Sequence, residues 1–169
     1  MKPQAQGYVP SHPGIVEVKF GDGELDSGLV ALKDFEPDTV IASVYGTTIG
    51  PKAYTSVQCG RGENDHIELN SDLVYVNHSC DPNVAFDLSS PDREQWHLRA
   101  LKSINARQQL TFFYPSTEWA MDQPFDCRCG ASNCLGTIRG AQSLSREELL
   151  ARGYVSPWIL HAVQKRDGA

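Results

Sequence analysis

Asn77-His78-Ser79-Cys80 places an amide, an imidazole, a hydroxyl and a thiol on four consecutive residues of a chain whose apolar runs are otherwise short. Unpaired polar groups are costly in an apolar core, so such a run must find partners and suits a buried polar site. Asp81-Pro82-Asn83 follows with turn chemistry. Leu73, Val74 and Val76 before the run, and Val84 to Leu88 after it, read as strands. The polar residues are therefore expected on a loop held between two strands.

A second stretch, Leu110-Thr111-Phe112-Phe113-Tyr114, ends an apolar run on a phenol, and Cys127-Arg128-Cys129 with Cys134 forms a C-x-C-x4-C cluster shortly after it. In this order the three segments resemble the SET-domain family of S-adenosylmethionine-dependent protein lysine methyltransferases. The hallmarks of that family are an Asn-His-Ser-Cys-x-Pro-Asn segment, a Glu-Leu-Thr-Phe-Asp-Tyr-like segment and a cysteine-rich post-SET segment. The resemblance extends over roughly residues 14–140.

With 169 residues the chain is expected to form one domain with a real core. A hydrophobic fraction of 40% and a charged fraction of 21% fit a folded protein rather than a disordered one. No apolar run approaches the roughly 20 residues needed to cross a bilayer, and the first residues lack the apolar segment of a signal peptide. The expectation is a cytoplasmic or nuclear protein without membrane attachment. A net charge of −6 argues against direct nucleic-acid binding and is compatible with a basic peptide tail as partner. In such a compartment five cysteines fit metal ligands or buried thiols better than disulfides.

Along the chain, Ile15 to Phe20 alternates as a strand, and Gly28 to Leu32 and Thr39 to Tyr45 are further apolar runs. Residues 46–70 carry a weaker pattern, with one short strand at His66 to Leu69. Strands are also expected at Asn83 to Leu88, Trp96 to Leu101 and Leu110 to Tyr114. Ser145 and Glu148 read as a capping box for a short helix. Ser156-Pro157 reads as N-cap and first residue of a second helix, with Trp158, Ile159 and Val163 on its apolar face and Lys165 and Arg166 at its end.

The resemblance implies roles for particular residues. Tyr114 corresponds to the catalytic tyrosine beside the transferred methyl. Gly28, Asn77, His78, Tyr114 and Ile138 would contact S-adenosylmethionine, and Phe112 and Trp119 would line the lysine channel. A lone Tyr at a strand end, or a lone His, would more often be packing, and Trp119 or Phe125 could equally pack in the core. Three thiolates within eight residues would repel one another without a cation; the fourth zinc ligand implied by the family is Cys80, giving Cys80, Cys127, Cys129 and Cys134 as a structural Zn2+ site. Phe112 occupies the position of the family's Phe/Tyr switch, where Phe suggests that more than one methyl can be added. Asp26 stands where the family usually has glycine, Gln109 where it has Glu, and Phe113 where it has Asp.

The expected fold is mostly β with short helices: a SET domain with its pseudoknot, a four-cysteine zinc post-SET segment and a helical carboxy-terminal tail. Residues 1–13 form an amino-terminal extension, 14–118 the SET domain, 119–140 the post-SET segment and 141–169 a helical brace, in a monomer. The expected activity is methyl transfer to the ε-amine of lysine in a protein or peptide. Two other readings stay open: a catalytically weak SET module that binds a protein partner, and a methyltransferase acting on a small non-protein amine.

Overall fold

The computed structural model describes residues 7–23 and 25–168. Of the expected amino-terminal extension, residues 7–13 are described and residues 1–6 lie outside the described part. The strands are β1 (Val16–Lys19), β2 (Gly28–Ala31), β3 (Val40–Ser43), β4 (Thr48–Gly50), β5 (Val57–Gln58), β6 (His66–Glu68), β7 (Asn77–His78), β8 (Val84–Asp87), β9 (His97–Ala100), β10 (Thr111–Phe112), β11 (Phe125–Asp126) and β12 (Thr137–Ile138). Two helices, α1 (Arg146–Leu150) and α2 (Pro157–Asp167), close the chain.

Among the described residues the strands pair in five small sheets rather than one large one: β1 with β2, β3-β9-β8, β4-β6-β5, β11 with β12, and a parallel pair of β7 with β10. The other pairings are antiparallel. Alternation in β1 buries Val16 and Val18 and leaves Lys19 exposed, whereas β2 is buried at every residue because β1 and the 107–110 segment cover it. Leu29, Phe86, Leu98 and Leu110 are fully buried, each contributing about 1.5–3 kcal/mol by leaving water. Phe86 meets Phe112 edge to face at 4.8 Å, which ties the core to the second motif stretch.

The segment before Asn77 departs from the expected strand. Residues Asp72–Tyr75 form a single 3-10 turn, and the chain becomes extended again only at Val76. Apolar residues three apart share one side of such a turn. Leu73 and Val76 are accordingly buried while Val74 and Tyr75 are half-buried. The turn is anchored by buried Asp72: its carboxylate accepts from the Ser11 N–H at 2.9 Å, and its own N–H donates to Ser11 Oγ at 2.8 Å. A second departure is the 46–70 segment, which forms the complete β4-β6-β5 sheet from strands of two or three residues, too short to show a periodicity.

The tail follows the capping logic in part. Ser145 Oγ accepts from the Glu148 N–H at 3.1 Å and Glu148 Oε2 accepts from the Ser145 N–H at 2.8 Å, so the capping box forms. Ser156 heads α2 without a side-chain cap. Its backbone N–H instead donates to Ser116 O at 2.9 Å. Trp158, Ile159 and Val163 are buried as expected, and Trp158 Nε1 donates to Thr117 O at 2.9 Å. The tail thereby packs on the residues just after Tyr114. Among the described residues no helix is long and apolar enough to cross a membrane.

Candidate active site

The two motif stretches meet in the parallel pair, Thr111 opposite Asn77 and Phe112 opposite His78. Asn83 explains why the turn after the polar run ends in an amide. Its Oδ1 accepts from the Thr111 N–H at 2.9 Å and its Nδ2 donates to Gln109 O at 2.8 Å, clamping the second stretch from outside. Ser79 N–H donates to Phe112 O at 3.0 Å and extends the ladder.

Asn77 Nδ2 donates to Ser27 O at 2.8 Å and so fixes the start of β2 beside β7. A side chain at Gly28 would stand 2.7 Å from Gln109 Nε2 and 3.3 Å from Asn77 Nδ2. Glycine avoids this close approach without any special backbone angle; a larger residue would have to displace the Gln109 and Asn77 amides. The carboxylate of Asp26 accepts from the Gly23 N–H at 3.1 Å, so the turn at 21–23 takes up this residue, which also borders the cavity described below.

His78 joins three parts of the site. Its Nδ1 accepts from the Tyr114 N–H at 3.2 Å, which places the imidazole proton on Nε2, 3.4 Å from Cys80 Sγ. Burial, together with the charge of Arg152, lowers its pKa to about 4, so the ring is neutral at ordinary pH. Its ring also packs against Tyr114 and Phe125, with centroids at 5.1 and 5.5 Å. Tyr114 opens a short 3-10 turn with Pro115 in the second position, which ends the strand after Phe112. Burial and the nearby charge of Glu118 push the Tyr114 phenol up to about 12. It therefore remains protonated.

A cavity of about 990 Å³ lies against these residues and is bordered by Asn77, His78, Phe112, Tyr114 and Phe125. Its size is at the upper end of the roughly 300–1,000 Å³ common for small-molecule sites. Tyr75 and Ser79 add polar groups to the wall, and Leu73 and Val76 add apolar ones. Of the cofactor and channel residues expected from the sequence, Gly28, Trp119 and Ile138 are not brought to this wall, although Gly28 follows directly on Ser27, which is. Trp119 lies under the guanidinium of Arg166 at 5.9 Å, and Ile138 is buried opposite Phe125 in the β11–β12 pair.

Cys80, Cys127, Cys129 and Cys134 converge, with all four Sγ atoms within 4.8 Å of one another. Tetrahedral zinc with Zn–S bonds of about 2.3 Å needs sulfurs about 3.8 Å apart, and the Cys80–Cys127 separation is 3.9 Å. The donor set thus fits zinc. Burial pushes the Cys80 and Cys127 thiols up, whereas at Cys129 burial is outweighed by backbone and cysteine hydrogen bonds, which bring it down to about 6. The N–H groups of Leu135 and Cys129 donate to Cys80 Sγ and Cys127 Sγ, each at 3.4 Å, the contacts that thiolate ligands accept.

Two residues here have no motif to announce them. Arg152 is buried; its Nη1 donates to Cys80 O at 2.6 Å and Asn133 O at 3.1 Å, and its guanidinium lies 5.4 Å from the Phe113 ring. Phe113, in place of the family's Asp, is therefore an aromatic floor for a cation from the tail. Glu118 is buried on the cavity wall, one turn after Tyr114. A lone Arg or Glu in an irregular stretch carries no periodic signal.

Five small sheets, a parallel two-residue pair that brings an Asn-His motif beside a Tyr, and a four-cysteine cluster next to both define a SET-domain methyltransferase. The chain belongs to the SET-domain family, whose model matches residues 26–115. The methyltransferase flvH of Aspergillus flavus is 41% identical over 153 residues, covering 89% of this chain and 82% of that protein. The histone-lysine N-methyltransferase ASHH3 of Arabidopsis thaliana is 29% identical over 150 residues, covering 79% of this chain and 39% of that one. The histone-lysine N-methyltransferase mes-4 of Caenorhabditis elegans is 33% identical over 78 residues, 40% of this chain and 8% of its own length. The crystal structure of KRYPTONITE in complex with mCHG DNA and SAH superposes with a TM-score of 0.54 at 20% identity. It covers 72% of this chain and 28% of that one, a likeness of fold.

Proposed function

We propose that this SET-domain methyltransferase takes the methyl group of S-adenosylmethionine and places it on the ε-amine of a lysine in a protein or peptide. The observation that carries the reading is the β7–β10 pair, which sets Asn77 and His78 beside Phe112 and Tyr114 on the wall of one cavity. Relatives named as histone-lysine N-methyltransferases support the lysine acceptor, and the SAH in the KRYPTONITE crystal supports the methyl donor.

In this reading Asn77, the Ser27-Gly28 backbone and the wall at Tyr75 and Ser79 hold the methyl donor. When bound, S-adenosylmethionine supplies a methyl carbon on a sulfonium sulfur, which leaves with the bonding electron pair as a thioether. Tyr114 orients the acceptor amine as a neutral phenol, and Phe112 bounds the space for the methylated nitrogen. Burial at Phe112 and Phe113 excludes water, so the reactants are held dry and aligned. Cys80, Cys127, Cys129 and Cys134 hold a structural zinc that fastens the 119–140 segment onto the 14–118 domain, with 141–169 as a brace. The partner is a basic tail met in the cytoplasm or nucleus.

A small amine as acceptor is the second reading. It is left open by the flvH relative, named as a methyltransferase, of which this chain covers 82%, against 39% of ASHH3 and 8% of mes-4.

The test is calorimetric titration of zinc-loaded protein with S-adenosylmethionine and S-adenosylhomocysteine, followed by transfer of labelled methyl to lysine-containing peptides and to free diamines. Saturable one-to-one binding with transfer to peptide lysine supports the first reading. Transfer only to diamines supports the second. Absence of binding at millimolar donor removes both and leaves the partner-binding module.

A further inference from the structure

We infer that Glu118 is the carboxylate that receives the acceptor's ammonium group in the cavity and removes its proton, an inference that rests on the amine-methylation reading above. Its position follows from the turn after Tyr114: the Glu118 N–H donates to Tyr114 O at 3.0 Å, so the two side chains leave adjacent turns of the chain. Glu118 is only 6% exposed and still borders the cavity with Phe112 and Tyr114.

The two carboxylate oxygens differ. Oε1 accepts from the Gln58 N–H at 2.6 Å and the Thr117 hydroxyl at 3.2 Å. Oε2 has no hydrogen bond among the described residues. The nearest cationic candidate is His66 Nδ1 at 3.9 Å, and that nitrogen already meets Ser56 Oγ at 3.0 Å. One oxygen is thus anchored, and the other has no hydrogen bond among the described residues, with the His66 imidazole no nearer than 3.9 Å. A buried carboxylate in this condition needs either a proton or a cation.

The cavity itself asks for a cation. Asp26, Asp122, Asp126 and Glu118 border it, against Arg128 as the Lys or Arg among its described residues. Burial lifts the Glu118 carboxyl to about 7, against the hydrogen bonds from Gln58 and Thr117 and the charge of Lys52. A proton acceptor works best when its pKa lies near the operating pH. Tyr114 is unsuited to that task because its phenol keeps its proton, and the charge of Glu118 is one reason why.

The proton step balances simply. The ammonium R–NH3+ meets the carboxylate; one N–H bond breaks, its electron pair stays on nitrogen, and the proton forms an O–H bond with Oε2. The products are the neutral amine R–NH2, whose lone pair is free for the methyl carbon, and a neutral Glu118, which later loses the proton to water. A lysine-like amine has a solution pKa of about 10.4, so without such an acceptor it stays charged at neutral pH.

The groups facing Glu118 from neighbouring elements are Lys52, Cys59, His66 and Tyr114. Burial keeps the Cys59 thiol up and the His66 imidazole down from their ordinary values. Glu118, lifted to about 7, changes charge between about pH 6 and 8.

The experiment saturates zinc-loaded protein with S-adenosylhomocysteine and titrates in n-butylamine, which remains an ammonium throughout, from pH 6 to 8. For an acid titrating at about 7, the butylamine affinity of the wild type should rise about tenfold over that range. E118Q, which keeps an acceptor for the Gln58 N–H, should bind butylamine at least about tenfold more weakly at pH 8 and show no rise. E118D should recover the rise, and both variants should bind S-adenosylhomocysteine within about threefold of wild type. A wild-type affinity that is flat or absent, or an E118Q profile that still rises, overturns the role of Glu118 and leaves methyl transfer standing. Failure of the wild type to bind S-adenosylhomocysteine instead removes the reading beneath it, and the inference with it.

Discussion

Arg152 Nη1 donates at 2.6 Å to the carbonyl of Cys80, joining the tail to the polar run across 72 positions of sequence. The same nitrogen reaches Asn133 O, and the guanidinium covers Phe113. One side chain therefore clamps the segment carrying Cys80, the segment carrying Cys134 and the second motif stretch. Arg152→Met keeps the stem but leaves the buried Cys80 carbonyl, and the more exposed Asn133 carbonyl, without their donor. Leaving the buried carbonyl unpaired costs about 1–3 kcal/mol, so a fall in stability of roughly 1–3 kcal/mol is expected, read as a lower urea midpoint. Zinc loss to a chelator should quicken in parallel. An unchanged midpoint and chelation rate would show that the tail does not hold the cysteine cluster.

The four sulfurs predict a simple stoichiometry. Zinc-replete protein purified without chelator should carry one zinc per chain, and Cys129→Ser should reduce this by well over half. Limited proteolysis should then cut between residues 119 and 140. A wild type free of zinc would end the four-cysteine assignment.

Gly28→Ala tests close approach rather than chemistry. The added carbon would press on the Gln109 and Asn77 amides at 2.7 and 3.3 Å, so these side chains must shift. Because Asn77 Nδ2 is held by Ser27 O, its displacement should weaken S-adenosylhomocysteine binding by about tenfold, with the fold retained. Equal binding would place the donor away from this corner.

What could be read in the sequence and what could not divides along physical lines. Local chemistry was legible: the capping box at Ser145 and Glu148, the alternation of Val16 and Val18, and the cysteine spacing depend on neighbours in sequence. The resemblance supplied the meeting of the two motif stretches, a parallel pair of two residues that no periodicity would reveal. The turn at Asp72–Tyr75 read as a strand because Leu73, Val74 and Val76 are strand formers, while the deciding contact, with Ser11, lies 61 positions away. Glu118 and Arg152 escaped for the same reason. A buried charge is recognised by its partners, and those of Arg152 come from Cys80 and Asn133.

Tyr114→Phe removes the hydroxyl but none of the packing on His78, Phe112 and Phe125. If the phenol orients the acceptor, methyl transfer should fall by about 10²-fold or more, with S-adenosylhomocysteine affinity within about threefold. Undiminished transfer would take Tyr114 out of the mechanism.

Glu118 also makes a prediction about stability that needs no substrate. Its carboxyl titrates at about 7 in the folded protein, against an ordinary value of 4.5. Between those values the folded state holds the proton more tightly than the unfolded chain, so this group's contribution is largest at low pH and is lost as pH rises towards 7. From pH 5.5 to 8 the loss covers about 1.5 pKa units, or about 2 kcal/mol. Gln cannot ionise, so E118Q should lack this part of the slope. Urea unfolding of wild type and E118Q at both pH values isolates the term, because titrating groups that do not interact with Glu118, the cysteine cluster included, cancel in the double difference. E118Q should gain about 2 kcal/mol relative to wild type on going to pH 8. Parallel profiles would mean that the folded protein ionises Glu118 as easily as the unfolded chain does, and an acid already ionised at pH 5.5 is too weak a base for the acceptor's proton.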